Sequence, residues 1–361
     1  MRNRIKRAFF PLNVILLSSG CGLFGSKTWV SKIVSISLIC ITVVSFIHDL
    51  IASHDSIELN LSQDFFFAIM YPLGETISII FVVLTKLKAR KIEKMLVLFS
   101  SKLYYQDFRF LFWFSISGMM CSLVFTISLT IGTVLTFMDN MVDSIMTFEW
   151  FTIITAIIAY RDINYIVGRF AFCFMVSVMT RMEVNLLRRT CKDVAQFSVS
   201  PSKVSLMRQD VITRKETAIS FFSCIPLLWF LREFNVCVGL LTIQRIQWFH
   251  RHQTSLYFFM VIPLGASMLA HIFLICFVDH CNNQVRKEIT LLTRTMTSTD
   301  YIEWLPVIQQ LENEKKFEYT VCNLFALNKA IALSFISSLI TFTVMFHQLF
   351  TSSPPVSPQK N

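Results

Sequence analysis

Charge is scarce in this chain. Asp, Glu, Lys and Arg together make up 16% of its 361 residues, against 54% hydrophobic residues that include 36 Phe. With a mean hydropathy of +0.58, that much apolar surface has no place in the core of a water-soluble domain, and a membrane protein is expected. The residue constellations of catalysis are missing as well. There is no Gly-x-Ser-x-Gly elbow, no P-loop, no His-Glu-x-x-His and no Gly-rich loop opening a helix, and the seven His are scattered. No enzyme activity, metal or cofactor is therefore expected. Cysteine adds little: Cys40, Cys121, Cys173, Cys237 and Cys276 lie in apolar runs, and no pair has zinc-ligand spacing backed by His.

What is present is a series of long apolar runs. Crossing a bilayer core of about 30 Å takes roughly 20 mostly apolar residues as helix. Candidates occur at 33–52, 66–86, 110–137, 150–180, 218–249, 255–278 and 330–350. They are read as helices because lipid offers the backbone no hydrogen-bond partner, and the period-2 alternation of a barrel strand is absent. The fourth and fifth runs exceed one span and carry Arg161, Asp162, Arg169 and Arg232. Part of each is expected to continue as helix beyond the lipid, with the crossing part of the fifth near 232–249.

Lysine and arginine orient this bundle. The leader to residue 32 holds six, residues 86–109 hold seven, 181–217 eight and 279–329 six, which is 27 of the chain's 33. The intervening connections 53–65 and 138–149 hold none. By the positive-inside tendency the amino terminus is cytosolic and, after seven spans, the carboxy terminus is outside. A basic leader followed by a short apolar run also resembles a cleaved signal peptide. A cytosolic segment lying against the bundle is the expectation taken here. The sequon Asn60-Leu61-Ser62 falls in an outer connection, making Asn60 a candidate glycosylation site. The basic stretches suit solvated surface or anionic lipid and require no nucleic acid.

The rhodopsin-like signatures are absent: nothing like Asp-Arg-Tyr ends the third run and no Asn-Pro-x-x-Tyr occurs in the seventh. That seventh run reads instead Thr341-Phe342, five apolar or weakly polar residues, then Gln348-Leu349. It resembles the closing motif of the arthropod gustatory receptors, Thr-Tyr, five mostly hydrophobic residues, then Gln-Phe. The preceding FEYTVCNLFALN places Phe317, Cys322, Phe325 and Leu327 as that family does, and PLNVILLSSGCGLFG and LREFNVCVGL resemble its opening and its entry to the fifth span. This chain departs from the pattern at Phe342, Leu349 and Asn323, where the family usually has Tyr, Phe and Gly. The resemblance implies a multi-pass plasma-membrane receptor, an all-α ligand-gated cation channel assembled as a homotetramer or with related subunits. In such a channel the last helix lines a central pore and a small-molecule tastant is the ligand.

The resulting layout is a cytosolic segment 1–32, six spans with outer pocket and cytosolic anchor helices over 33–278, an anchor connection 279–329, a pore helix 330–350 and an extracellular tail 351–361. Thr341, Met345 and Gln348 recur at i, i+4 and i+7 and share a helix face. Spacing alone suits pore lining and ordinary interhelical packing alike; the resemblance assigns Thr341, Phe342, Met345, Gln348 and Leu349 to pore and gate. Phe67, Tyr71 and Glu75, at i, i+4 and i+8, join two aromatic faces to a carboxylate at membrane depth, where an ionisable group is expensive and usually has a task. With Tyr257 and Phe258 they form the candidate ligand pocket. Glu75 paired with Arg169 simply to hold the bundle is the competing account. His271 is expected to be a packing residue. A seven-span metabotropic receptor and a secondary transporter are the alternative functions.

Overall fold

The computed structural model describes residues 2–18, 92–97, 103–140, 148–196, 200–222, 225–232, 262–297, 301–314, 319–321 and 324–351, together with 234 and single positions within 29–47 and 76–87. Among these the elements run α1 (Arg2–Ser18), α2 (Tyr105–Asn140), α3 (Phe148–Ala195), α4 (Pro201–Phe222), α5 (Ile262–Thr297), α6 (Tyr301–Glu314), a hairpin of β1 (Thr320–Val321) and β2 (Phe325–Ala326), and α7 (Lys329–Thr351). The chain is thus overwhelmingly α-helical. The antiparallel hairpin, with Thr320 opposite Ala326 and Val321 opposite Phe325, is an addition that the purely helical expectation did not include.

Among the described residues, three helices contain stretches long and apolar enough to cross a membrane: Tyr105–Ser128 in α2, Ile166–Ala195 in α3 and Gly265–Thr297 in α5, with the shorter apolar Lys329–Thr341 in α7. They fall on the third, fourth, sixth and seventh apolar runs. The first, second and fifth runs lie wholly or mostly outside the described residues. At 36 residues, α2 and α5 are each about 54 Å long, and α3, at 48 residues, about 72 Å. A bilayer core of about 30 Å covers only part of each. As a helix, α3 continues fifteen residues past the end of the fourth run at 180, to Ala195.

Burial separates the roles of these helices. In α3, 83% of the apolar stretch is inside the protein, against 28% in α2. So α3 is the central post, and α2 presents Trp113, Met120, Leu123, Val124, Ile127 and Ile131 outward at helical spacing, an apolar stripe suited to lipid. On its inner side α2 is small: Ser115, Gly118 and Ser122 are buried at i, i+3 and i+7. A side chain at Gly118 would meet Leu12 Cδ2 at 2.9 Å and Phe170 Cγ at 2.9 Å, so glycine there lets α1 and α3 approach together.

The leader folds as α1, packed on the bundle. Ile5, Phe9, Leu12 and Leu16 are all buried, at i, i+4, i+7 and i+11, while Arg4, Arg7, Phe10 and Val14 face out. Pro11 inside α1 disturbs the regular hydrogen-bond ladder, and at the next residue the Leu12 N–H donates to the Ser115 hydroxyl at 3.1 Å.

Two cores result. The larger joins α1, α2, the middle of α3, the helical segment 225–232 and α5 around Phe9, Phe174, Trp229 and Leu274. A second, around Leu187, Val204, Ile289, Leu292, Trp304 and Leu311, unites the end of α3 with α4, the end of α5 and α6. Charged residues interleave with this second core. They include a buried pair in which Arg208 Nη1 donates to Glu183 Oε1 at 3.0 Å.

Candidate functional site

The last helix has two faces. Ala332 and Leu339 are buried and Ile331 and Phe335 half-buried, whereas Leu333, Ile340, Thr341, Val344, Met345 and Gln348 are exposed. Those exposed positions recur every three to four residues, so they form one stripe running the length of α7. Thr341, Met345 and Gln348 therefore share a face as the spacing requires, and all three are exposed. Phe342 and Leu349 lie on the same helix. The stripe mixes apolar Leu333, Ile340, Val344 and Met345 with polar Ser337, Thr341 and Gln348, a composition that suits contact with lipid or with another protein surface.

The base of α7 is pinned in several ways. Asn328 caps it, its Oδ1 accepting the Ile331 N–H at 3.1 Å. The hairpin just before it is closed by the Leu327 N–H donating to the Tyr319 carbonyl at 2.7 Å. Tyr319 is buried in the larger core beside Val321 and Leu327. Burial pushes its phenol well above the usual tyrosine range, and the nearby Glu183 and Cys281 push the same way, with the Thr180 hydroxyl opposing. Lys329 Nζ stands 4.0 Å from Asp279 on α5.

A second fixed point sits where α2 begins. Asp107 Oδ2 accepts the Tyr104 N–H at 2.9 Å, the backward reach of a capping box. The same carboxylate receives Asn185 Nδ2 at 2.8 Å and Arg181 Nη1 at 2.7 Å, tying α2 to α3. The Arg181 guanidinium also lies 3.9 Å over the Phe110 ring. Arg169 of α3 is buried and donates from Nη1 to the Ser267 carbonyl at 2.7 Å and to its hydroxyl at 2.9 Å, joining α3 to α5.

Of the residues singled out in the sequence, Phe67, Tyr71, Glu75, Tyr257, Phe258 and Asn60 lie outside the described residues. His271 is buried among rings, its centroid 4.3 Å from that of Phe230 and 5.5 Å from that of Phe335, as a packing residue would be. Sequence reasoning missed Asp107, the Glu183–Arg208 pair and Phe230. Only Asp107 carried a local signal, three residues after the residue that precedes α2. Among the described residues no cluster of His, Cys, Asp and Glu could hold a metal ion.

No protein-family profile matches the chain, and no curated protein sequence does. Solved structures do. The insect olfactory receptor OR5 of Machilis hrabei in complex with eugenol superposes with a TM-score of 0.67 at 11% identity, over 97% of this chain and 98% of that one. A second structure of the same receptor superposes with a TM-score of 0.68 at 11% identity, over 96% and 99%. From end to end, the chain has the fold of an insect olfactory receptor.

Proposed function

We infer that this chain is a chemosensory receptor of gustatory type that works as a ligand-gated, non-selective cation channel in the plasma membrane. The exposed stripe of α7 carries this inference, because Thr341, Met345 and Gln348 share one face of the helix and are all exposed. Four such helices around an axis would turn that face to a pore. Met345 and Leu349 would form an apolar constriction that dewets when shut, with Phe342 beside it and Thr341 and Gln348 as polar liners. The olfactory-receptor fold and the closing motif support the same assignment. A homotetramer, or an assembly with related subunits, meets the need for a partner surface. The small-molecule tastant would sit in an outer pocket lined by Phe67, Tyr71, Glu75, Tyr257 and Phe258, and would open the pore only by binding the open state more tightly than the shut one.

Recording from cells that express only this chain, while a panel of tastants is applied, tests the proposal. A fast cation current that needs no nucleotide is expected, with Gln348→Glu altering its ion selectivity. Abolition by G-protein toxins would point to a metabotropic receptor, and stoichiometric substrate uptake without channel noise to a transporter. Tags at the two termini should be reached by antibody on intact cells only at the carboxy end. Exposure of a tag at residue 1 would overturn the orientation.

A further inference from the structure

Phe230 belongs to none of the sites above, yet its ring touches three elements at once. It stands edge-on to His271 of α5 (4.3 Å between centroids, 82°), to Phe335 of α7 (5.1 Å, 81°) and to Phe325 of β2 (5.5 Å, 89°). His271 and Phe335 also meet directly at 5.5 Å. Edge-to-face is the favourable arrangement for aromatic pairs, because the positive edge of one ring meets the negative face of another. The neighbouring Trp229 is fully buried and edge-on to Phe172 of α3 at 5.7 Å. Segment 225–232 is thus held to the central post by one ring and to the foot of α7 by the next.

The position of this cluster along α7 matters. Phe335 lies in the second turn, six residues before Thr341, while the exposed stripe continues above it to Gln348. Below it the helix is fixed by the Asn328 cap and the hairpin. Higher up Leu339 is buried as well, so these rings are one of the side-chain attachments that hold α7 to the bundle. A displacement of α5 or of segment 225–232 meets α7 at this set of rings.

We propose that Phe230, with His271 and Phe335, is an aromatic clasp that transmits movement of the bundle to the pore helix, and that these are positioning residues for gating. This rests on the channel assignment above. Each edge-to-face pair is worth a factor of about 2 to 12 in an equilibrium constant. Two or more of them acting together can therefore change the balance between shut and open states severalfold or more.

The test is recording, with eugenol tried first and then the tastant panel, on the unaltered chain and on F230A, F335A, the double variant, H271A and H271F, with current normalised to surface-biotinylated protein. F230A and F335A should each lower the maximal current at saturating agonist severalfold. The double variant should be no worse than the poorer single one, and H271F, which keeps a ring, should retain coupling that H271A loses. F230L serves where F230A fails to reach the surface. A merely structural role would lower surface protein and leave the current per surface channel unchanged, and that result overturns the clasp. So do single effects that multiply in the double variant. If the unaltered chain passes no current with any compound, the channel assignment falls and the clasp with it; if it does and F230A behaves identically, only the clasp falls.

Discussion

The Glu183–Arg208 pair lends itself to a sharp perturbation. Both side chains are almost wholly buried, at 5% and 4% exposure, and the two helices they join, α3 and α4, flank the second core. Removing one partner strands the other charge in a region where water does not reach it, which costs about 3–5 kcal/mol, or roughly 10²- to 10⁴-fold in the folded population. Replacing both with apolar side chains of similar size, as in Glu183→Leu with Arg208→Met, removes the desolvation penalty together with the attraction and should come out close to neutral. Glu183→Gln and Arg208→Met alone should therefore melt well below the unaltered protein in detergent, while the double variant recovers most of the loss. Thermal unfolding followed by retention of the monodisperse fraction reads all four proteins. Single variants as stable as the parent, or a double variant as poor as the sum of the singles, would refute the idea that burial of an unpaired charge sets the effect.

Two further outcomes follow from the packing. Gly118→Ala should weaken the seat of α1: contacts of 2.9 Å to Leu12 and Phe170 cost about 1–3 kcal/mol of overpacking, which outweighs the gain of up to about 1 kcal/mol in helix propensity. Faster proteolysis within 2–18 would show it, and a more stable variant would contradict it. Tyr319 keeps its proton in the folded protein beyond the point at which an exposed tyrosine loses its own, near pH 10. Below that pH the unfolded and folded states hold the same proton and stability is unaffected. Above it the unfolded chain ionises while the folded one resists, so stability falls as pH rises. Tyr319→Phe should flatten that alkaline decline, and an unchanged slope in melting temperature between pH 9 and 11 would count against the burial argument.

The helices were legible because hydropathy is a property of consecutive residues. The apolar runs at 110–137, 150–180 and 330–350 and the described part of the run 255–278, from residue 262, are helix, and the i, i+4, i+7 spacing of Thr341, Met345 and Gln348 became a shared exposed face. The end of α3 was harder to place, since residues 181–195 alternate charge with apolar side chains in a pattern that suits a loop-flanking helix as well as a continuous one. What extends the helix is distant: Asp107 of α2 accepts from Arg181 and Asn185, Glu183 accepts from Arg208, and Leu187 enters the core with Trp304 and Leu311. The hairpin was missed for a related reason. Two residues per strand give no readable alternation, and its register is set by the buried Tyr319 and Leu327 on either side.

The same division explains why the foot of α7 was invisible while its upper face was not. A helix face is written in the spacing of one segment, so a stripe such as Thr341, Met345 and Gln348 can be read without knowing what it meets. Phe230, His271, Phe325 and Phe335 are four residues among 36 Phe and seven His, separated by up to 105 positions, and nothing in their local context distinguishes them from lipid-facing aromatics. Only when 225–232, α5, β2 and α7 converge do they become one cluster. In a chain this rich in phenylalanine, aromatic residues that position a moving helix and those that merely contact lipid have the same composition and often the same spacing. What separates them is contact between elements: Trp113 on α2 is 58% exposed, whereas His271 is fully enclosed and Phe230, Phe325 and Phe335 are half-buried against one another's elements. Composition can therefore announce that such a protein lives in a membrane, but the residues that link its helices are fixed by contacts between segments, and those follow from the fold alone.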